Sequence, residues 1–174
     1  MKSIIFGGGC FWGVQHYFKQ VKGVVKTVVG YTAGELKFPT YEQVCTGQTG
    51  HTEACKVDYN QKDTNLTILL EHFFFIIDPT VLNRQGMDVG SQYRTGIYYY
   101  EAEDLKTIEN YIESIKSNFS EPIVVEIKPA TEFWEAEEYH QDYLDKNPEG
   151  YCHIGENQYC ALDKVDALAR NKKI

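Results

Sequence analysis

Three consecutive glycines near the start, Gly7-Gly8-Gly9, constrain this chain more than any other stretch. They separate a short apolar segment, Ile4-Ile5-Phe6, from Cys10-Phe11-Trp12-Gly13. Glycine reaches backbone conformations closed to other residues, so an abrupt change of direction is expected there. The pattern predicts a buried strand over residues 3–6. A helix from Cys10 to Gln20 follows, with Phe11, Val14, Phe18 and Val21 on one face. A thiol at a helix start lies among unpaired amides and the positive end of the dipole, which favour thiolate. Phe11 and Trp12 then place an apolar wall beside the sulfur. The expected chemistry is a nucleophilic thiol with a pocket for a small apolar group.

Further along, Gly23–Tyr31 and Thr52–Tyr59 read as strands, joined by a long ordered loop from Thr32 to His51. Asp63 or Thr64 is expected to cap a helix running through Leu66, Leu69, Leu70, Phe73 and Phe74 to Ile77. A polar loop, Asp78–Gln92, leads to a strand at Tyr93–Tyr100. Glu101–Phe119 has helical periodicity through Leu105, Ile108, Ile112 and Ile115. Ile123–Ile127 reads as a last strand and Glu135–Leu144 as a short helix. The order β-α-β-β-α-β with extra elements predicts an α+β layer sandwich related to the ferredoxin-like plan. One catalytic domain is expected over 1–174, with an α+β core at 1–145 and an irregular tail at 146–174. The basic end Arg170-Asn171-Lys172-Lys173 is read as frayed.

Composition removes several function classes. With 17 basic and 25 acidic residues among 174, the formal charge is −8, which opposes a nucleic-acid or anionic-membrane surface. No stretch approaches the ~18 apolar residues of a membrane span, and the start lacks a signal-peptide core. Five cysteines make a poor disulfide framework in a chain of this length, so a reducing cytoplasm is expected. The glycine run has neither a following Gly-Lys-Ser/Thr nor GxGxxG spacing, which argues against nucleotide binding.

Cys45 and Cys55 read as small buried hydrophobes. Cys152 and Cys160 flank a weakly structured segment, and three readings stay open for them. They are incidental thiols, zinc ligands with His153, or a relay that condenses with an oxidised Cys10 and passes the disulfide on.

Gly9-Cys10-Phe11-Trp12-Gly13 resembles the signature of the A-type peptide methionine sulfoxide reductases. The resemblance continues through Gly30-Tyr31-Thr32-Ala33-Gly34, Pro39-Thr40-Tyr41, Gly50-His51-Thr52-Glu53-Ala54, Asp88-Val89-Gly90-Ser91-Gln92-Tyr93-Arg94 and Gly150-Tyr151-Cys152. It implies reduction of the S epimer of methionine sulfoxide, free or in proteins, with no metal or organic cofactor. By this resemblance Cys10 is the nucleophile and Glu53 the acid that protonates the sulfoxide oxygen. Tyr41 and Tyr93 hydrogen-bond that oxygen, Asp88 orients the site, and Phe11 and Trp12 hold the substrate methyl. Cys152 resolves the sulfenic acid, Cys160 takes over the disulfide, and thioredoxin reduces it. A monomer is implied. Two departures from the family pattern are Met87 beside Asp88 and His153 after Cys152. A thiol peroxidase, or an interaction module stabilised by zinc or a disulfide, are the alternative functions.

Overall fold

The computed structural model describes residues 1–172. β1 (Lys2–Gly7) lies inside a six-stranded sheet, antiparallel to β3 (Thr52–Tyr59) on one side and β6 (Gly96–Tyr99) on the other. β2 (Val24–Thr32) lies outside β3, and β8 (Phe133–Glu135) outside β2, both antiparallel. β7 (Glu126–Pro129) closes the opposite edge, parallel to β6. The order is therefore β7-β6-β1-β3-β2-β8 in a mixed sheet, with a separate hairpin of β4 (Arg84–Gln85) and β5 (Asp88–Val89).

Side chains alternate across a strand, so β1 supplies Ile4 and Phe6 to one face and Ile5 to the other. The first face meets α1 (Phe11–Phe18), α3 (Leu66–Ile76) and α4 (Ala102–Ile115), through Val14, Phe18, Leu69, Leu70, Phe73 and Ile108. Phe6 stacks between Phe18 and Phe73 with centroids 5.0 and 4.6 Å away. On β3 the residues sharing that face are Glu53, Cys55, Val57 and Tyr59. The strand therefore carries a carboxyl into the layer beneath α1, one alternation beyond its apolar positions.

Several elements differ from expectation. Asn65, rather than Asp63 or Thr64, caps α3 by accepting the Ile68 N–H at 3.0 Å, because Asp63 is already held by the Asn60 side chain. The long loop contains a short helix, α2 (Tyr41–Cys45), started by a capping box between Thr40 and Gln43. β6 begins only at Gly96, after a 3₁₀ turn at Ser91–Tyr93. Val124 gives its N–H to the Pro79 carbonyl, which delays β7 to Glu126. The expected helix at Glu135–Leu144 does not form: the open edge of β2 recruits Phe133–Glu135 as β8, so Glu135 ends a strand, and a 3₁₀ turn (Glu138–His140) and α5 (Tyr143–Lys146) follow.

The tail is not irregular. It forms α6 (Glu156–Cys160) and α7 (Leu162–Asn171), and buries Ile154, Leu162, Val165 and Ala169. Arg170 is anchored as well, to the Asp166 carboxylate and to the carbonyls of Asp63 and Lys22. Lys173 lies outside the described residues. No helix among the described residues is long and apolar enough to cross a membrane.

Candidate active site

β1 ends at Gly7, and the chain turns through Gly8 and Gly9 so that Cys10 becomes the N-cap of α1 above the sheet. Gly9 has φ +84°, and a Cβ there would lie 2.7 Å from Gln85 Cβ, so both backbone conformation and space demand glycine. Cys10 is 7% exposed and Glu53 1%. The Phe11 N–H at the first turn of α1 donates to Glu53 Oε2 at 3.1 Å. The dipole end of the helix is thus occupied by the carboxyl as well as by the thiol.

This arrangement reverses the expected ionisation of Cys10. Burial pushes the thiol far above its ordinary range and nearby Glu53 pushes the same way, outweighing the opposing Trp12 amide. Burial also raises Glu53, from 4.5 up to about 8, against the lowering effect of the Phe11 amide. At neutral pH both groups hold protons. The resting site contains a thiol and a carboxylic acid, where the helix-start argument alone predicts a thiolate.

Tyr41 opens α2, and its ring lies 4.4 Å from that of His140. Tyr93 ends the 3₁₀ turn before β6, close enough to Glu53, Cys45, Asp88 and Cys10 for their charges to act on its phenol. Burial raises both phenols, so they remain hydrogen-bond donors at any physiological pH. Asp88 on β5 accepts from the Tyr151 hydroxyl at 2.8 Å. Met87, at the tip of the β4–β5 hairpin, is 84% exposed and does not line the site.

The two aromatics after Cys10 separate. Phe11 is buried with Val29, Tyr31 and Val44 in a second apolar cluster, apart from the Val14, Phe18 and Val21 face expected to include it. Trp12 is half-buried and stacked on Tyr143 at 3.7 Å, and its Nε1–H donates to His140 Nδ1 at 3.0 Å. That bond assigns the proton of neutral His140 to Nε2. Sequence reasoning gave no role to His140, Tyr143, Tyr151 or Glu137. The Glu137 carboxylate accepts from the Tyr31 hydroxyl (2.9 Å), the Tyr41 N–H (3.1 Å) and the Tyr139 hydroxyl (3.2 Å). The available signal was density: Phe133, Trp134, Tyr139, His140 and Tyr143 fall within eleven residues.

The remaining cysteines take different positions. Cys55 is fully buried, as expected. Cys45 is exposed, contrary to expectation, because it falls on α2 one turn from Tyr41 and against that hydroxyl. Cys152 is half-buried with its sulfur 3.3 Å from the Tyr159 hydroxyl, and Cys160 is exposed. His153 donates from Nε2 to the Gly8 carbonyl at 2.8 Å, and among the described residues no group of three or more His, Cys, Asp or Glu side chains is arranged to hold a metal ion.

Residues 2–171 match the family described as peptide methionine sulfoxide reductase. The chain belongs to that family. A peptide methionine sulfoxide reductase MsrA of Mycoplasma genitalium is 54% identical over 154 residues, 88% of this chain and 98% of the relative. Mxr1 of Saccharomyces cerevisiae in reduced form superimposes with a TM-score of 0.85 at 38% identity, over 88% of this chain and 91% of that one. Mxr1 in complex with Trx2 gives 0.60 at 28% identity, covering 82% and 84%.

Proposed function

We propose that the chain reduces the S epimer of methionine sulfoxide to methionine, free or within proteins, by direct attack of the Cys10 sulfur on the sulfoxide sulfur. The observation carrying this reading is the buried Glu53 carboxyl, its pKa raised by burial to about 8, held at the first turn of the helix that Cys10 caps. A sulfoxide oxygen leaves sulfur only when it gains a proton, and Glu53 holds one at neutral pH. The Tyr41 and Tyr93 hydroxyls supply further donors as negative charge develops on that oxygen. Half-buried Trp12 offers apolar surface to the methyl group, backed by the cluster that holds Phe11, and Asp88 is fixed by the Tyr151 hydroxyl.

The first step is neutral in protons overall. Methionine sulfoxide and Cys10–SH give methionine and the Cys10 sulfenic acid. Attack forms an S–S bond to the substrate while the oxygen leaves as water, carrying the Cys10 proton and the one from Glu53. Water then attacks the Cys10 sulfur, the S–S bond breaks to release methionine, and a proton returns to Glu53, so the sulfoxide sulfur is reduced and the cysteine sulfur oxidised. Next, the Cys152 thiol condenses with the sulfenic acid to a disulfide and releases water. Cys160 then attacks that disulfide, frees Cys10 and forms Cys152–Cys160. The exposure of Cys160 and the Mxr1–Trx2 complex support thioredoxin as the dithiol that restores the enzyme.

The scaffold reads as a ferredoxin-like layer sandwich. β1-α1-β2-β3-α3-β6 runs in chain order, and the ladder β6-β1-β3-β2 is antiparallel with both helices on one face. The chain acts as one catalytic unit and as a monomer. The test is incubation with dithiothreitol and the two separated sulfoxide epimers. Loss of the S form alone is expected, and consumption of the R form, or of neither, refutes the reading.

A further inference from the structure

The segment carrying Cys152 is docked onto the turn that carries Cys10. Ile154 is buried in the main core, and its neighbour His153 reaches back to the glycine run. The His153 bond to the Gly8 carbonyl assigns the ring proton to Nε2, leaving Nδ1 buried without a partner among the described residues. The fit is close on the helix side as well. A Cβ at Gly9 would lie 3.0 Å from His153 Nε2. One at Gly13 would lie 3.0 Å from Cys152 Sγ and 3.2 Å from His153 Nδ1. Gly9 and Gly13 thus leave the space that the imidazole and the Cys152 sulfur occupy together. Residues three apart on a helix share a face, so Gly13 places that sulfur on the face where Cys10 caps α1. On the other side the Tyr159 hydroxyl meets the sulfur.

We propose that His153 is a positioning residue for the regeneration step, a peg whose hydrogen bond to Gly8 and ring seat between Gly9 and Gly13 bring the Cys152 thiol onto the Cys10 face of α1. The proposal rests on the reading of Cys152 as the thiol that condenses with the Cys10 sulfenic acid. In that step the S–S bond forms, the S–O bond breaks, and the Cys152 proton leaves with the hydroxyl as water. His153 takes no part in reduction of the sulfoxide itself. Its removal acts on the second step alone.

The test compares the two steps in pre-reduced full-length chain mixed with methionine S-sulfoxide and no reductant. Methionine formation reads the first, and loss of dimedone-reactive sulfenic acid with appearance of the Cys10–Cys152 disulfide reads the second. In His153→Ala the first methionine should form at the wild-type rate. Disulfide formation should slow by about tenfold as one buried hydrogen bond and its seat are lost. His153→Gln, which keeps a donor in reach of the Gly8 carbonyl, should recover most of that rate. A wild-type rate of disulfide formation in His153→Ala overturns the proposal, as does equal slowing of both steps. Cys152→Ser separates the two ideas. If that variant still closes a Cys10 disulfide at the normal rate, the assignment of Cys152 itself fails. If it cannot close while His153→Ala closes normally, only the peg is wrong.

Discussion

Glu53 accepts the Phe11 amide proton at 3.1 Å, so the acid is bound to the first residue of the helix that Cys10 caps. Strand β3 and the start of helix α1 are thereby fastened to each other beside Cys10. Glu53→Gln keeps an acceptor for that amide but has no acidic proton. Its kcat/KM for the S-sulfoxide should fall by about 10²-fold or more with little change in unfolding midpoint. Steady-state kinetics beside thermal unfolding check it, and activity within about threefold of wild type would count against the acid.

The raised Glu53 also determines a pH profile. In the proposed mechanism its protonated form is the active one, and burial raises the folded value to about 8. The rate of methionine formation in a single turnover should hold below that point and fall as pH rises through it. Stability follows the same sign. Between about 4.5 and about 8 the folded chain binds a proton that the unfolded chain has released, so unfolding free energy should decrease across that window. Glu53→Gln should flatten both dependences. Stopped-flow turnover and denaturant titration at a series of pH values provide the measurements.

Cys10 is a buried thiol at rest, so it should be the slow cysteine toward a small alkylating reagent at pH 7. Exposed Cys45 and Cys160 should label first. Peptide mapping after brief iodoacetamide treatment gives the order. Preferential labelling of Cys10 would mean that the site stabilises a thiolate after all.

Glu137 holds two phenols and the start of α2 with one carboxylate. Glu137→Ala leaves the Tyr31 hydroxyl and the Tyr41 amide without an acceptor, which costs about 1–3 kcal/mol per group where burial is complete. Loosening of Tyr41 should lower kcat/KM by about tenfold. Glu137→Gln, which still accepts, should keep most of both. Urea unfolding and steady-state kinetics on the two variants read the outcome.

Asp166 binds Arg170 through both carboxylate oxygens and faces the buried His72 at 3.5 Å, fastening α7 to α3. Asp166→Ala should destabilise the chain by about 1–2 kcal/mol, with an unchanged rate of methionine formation in the first turnover. A shift of that size in urea midpoint at constant slope, beside single-turnover assays, would establish α7 as a structural clasp.

How much of this was legible from residues follows from physical range. β3 was read with its observed limits because alternation is a property of adjacent residues; α1 and α3 were placed as helices, within a few residues of their observed ends, because their apolar spacing is local. β8 was missed, apart from Glu135 being placed in a helix, because its support is the edge of β2, about a hundred residues away in sequence. α7 was missed because Leu162, Val165 and Ala169 are few, and their partners lie on α3. At the site, Cys10 announces itself by its glycines, whereas Glu53 is one of 25 acidic residues and family resemblance singled it out. The ionisation of Cys10 was misread for a related reason. A helix start is visible in sequence, but the burial and the acid beneath it belong to the fold.

The most direct test mixes pre-reduced Cys152→Ser with methionine S-sulfoxide and no reductant, then maps the product by mass spectrometry with dimedone. The account predicts one equivalent of methionine per chain and a dimedone adduct on Cys10, with neither in Cys10→Ser. Methionine formed by Cys10→Ser, or an adduct on a different cysteine, would contradict it.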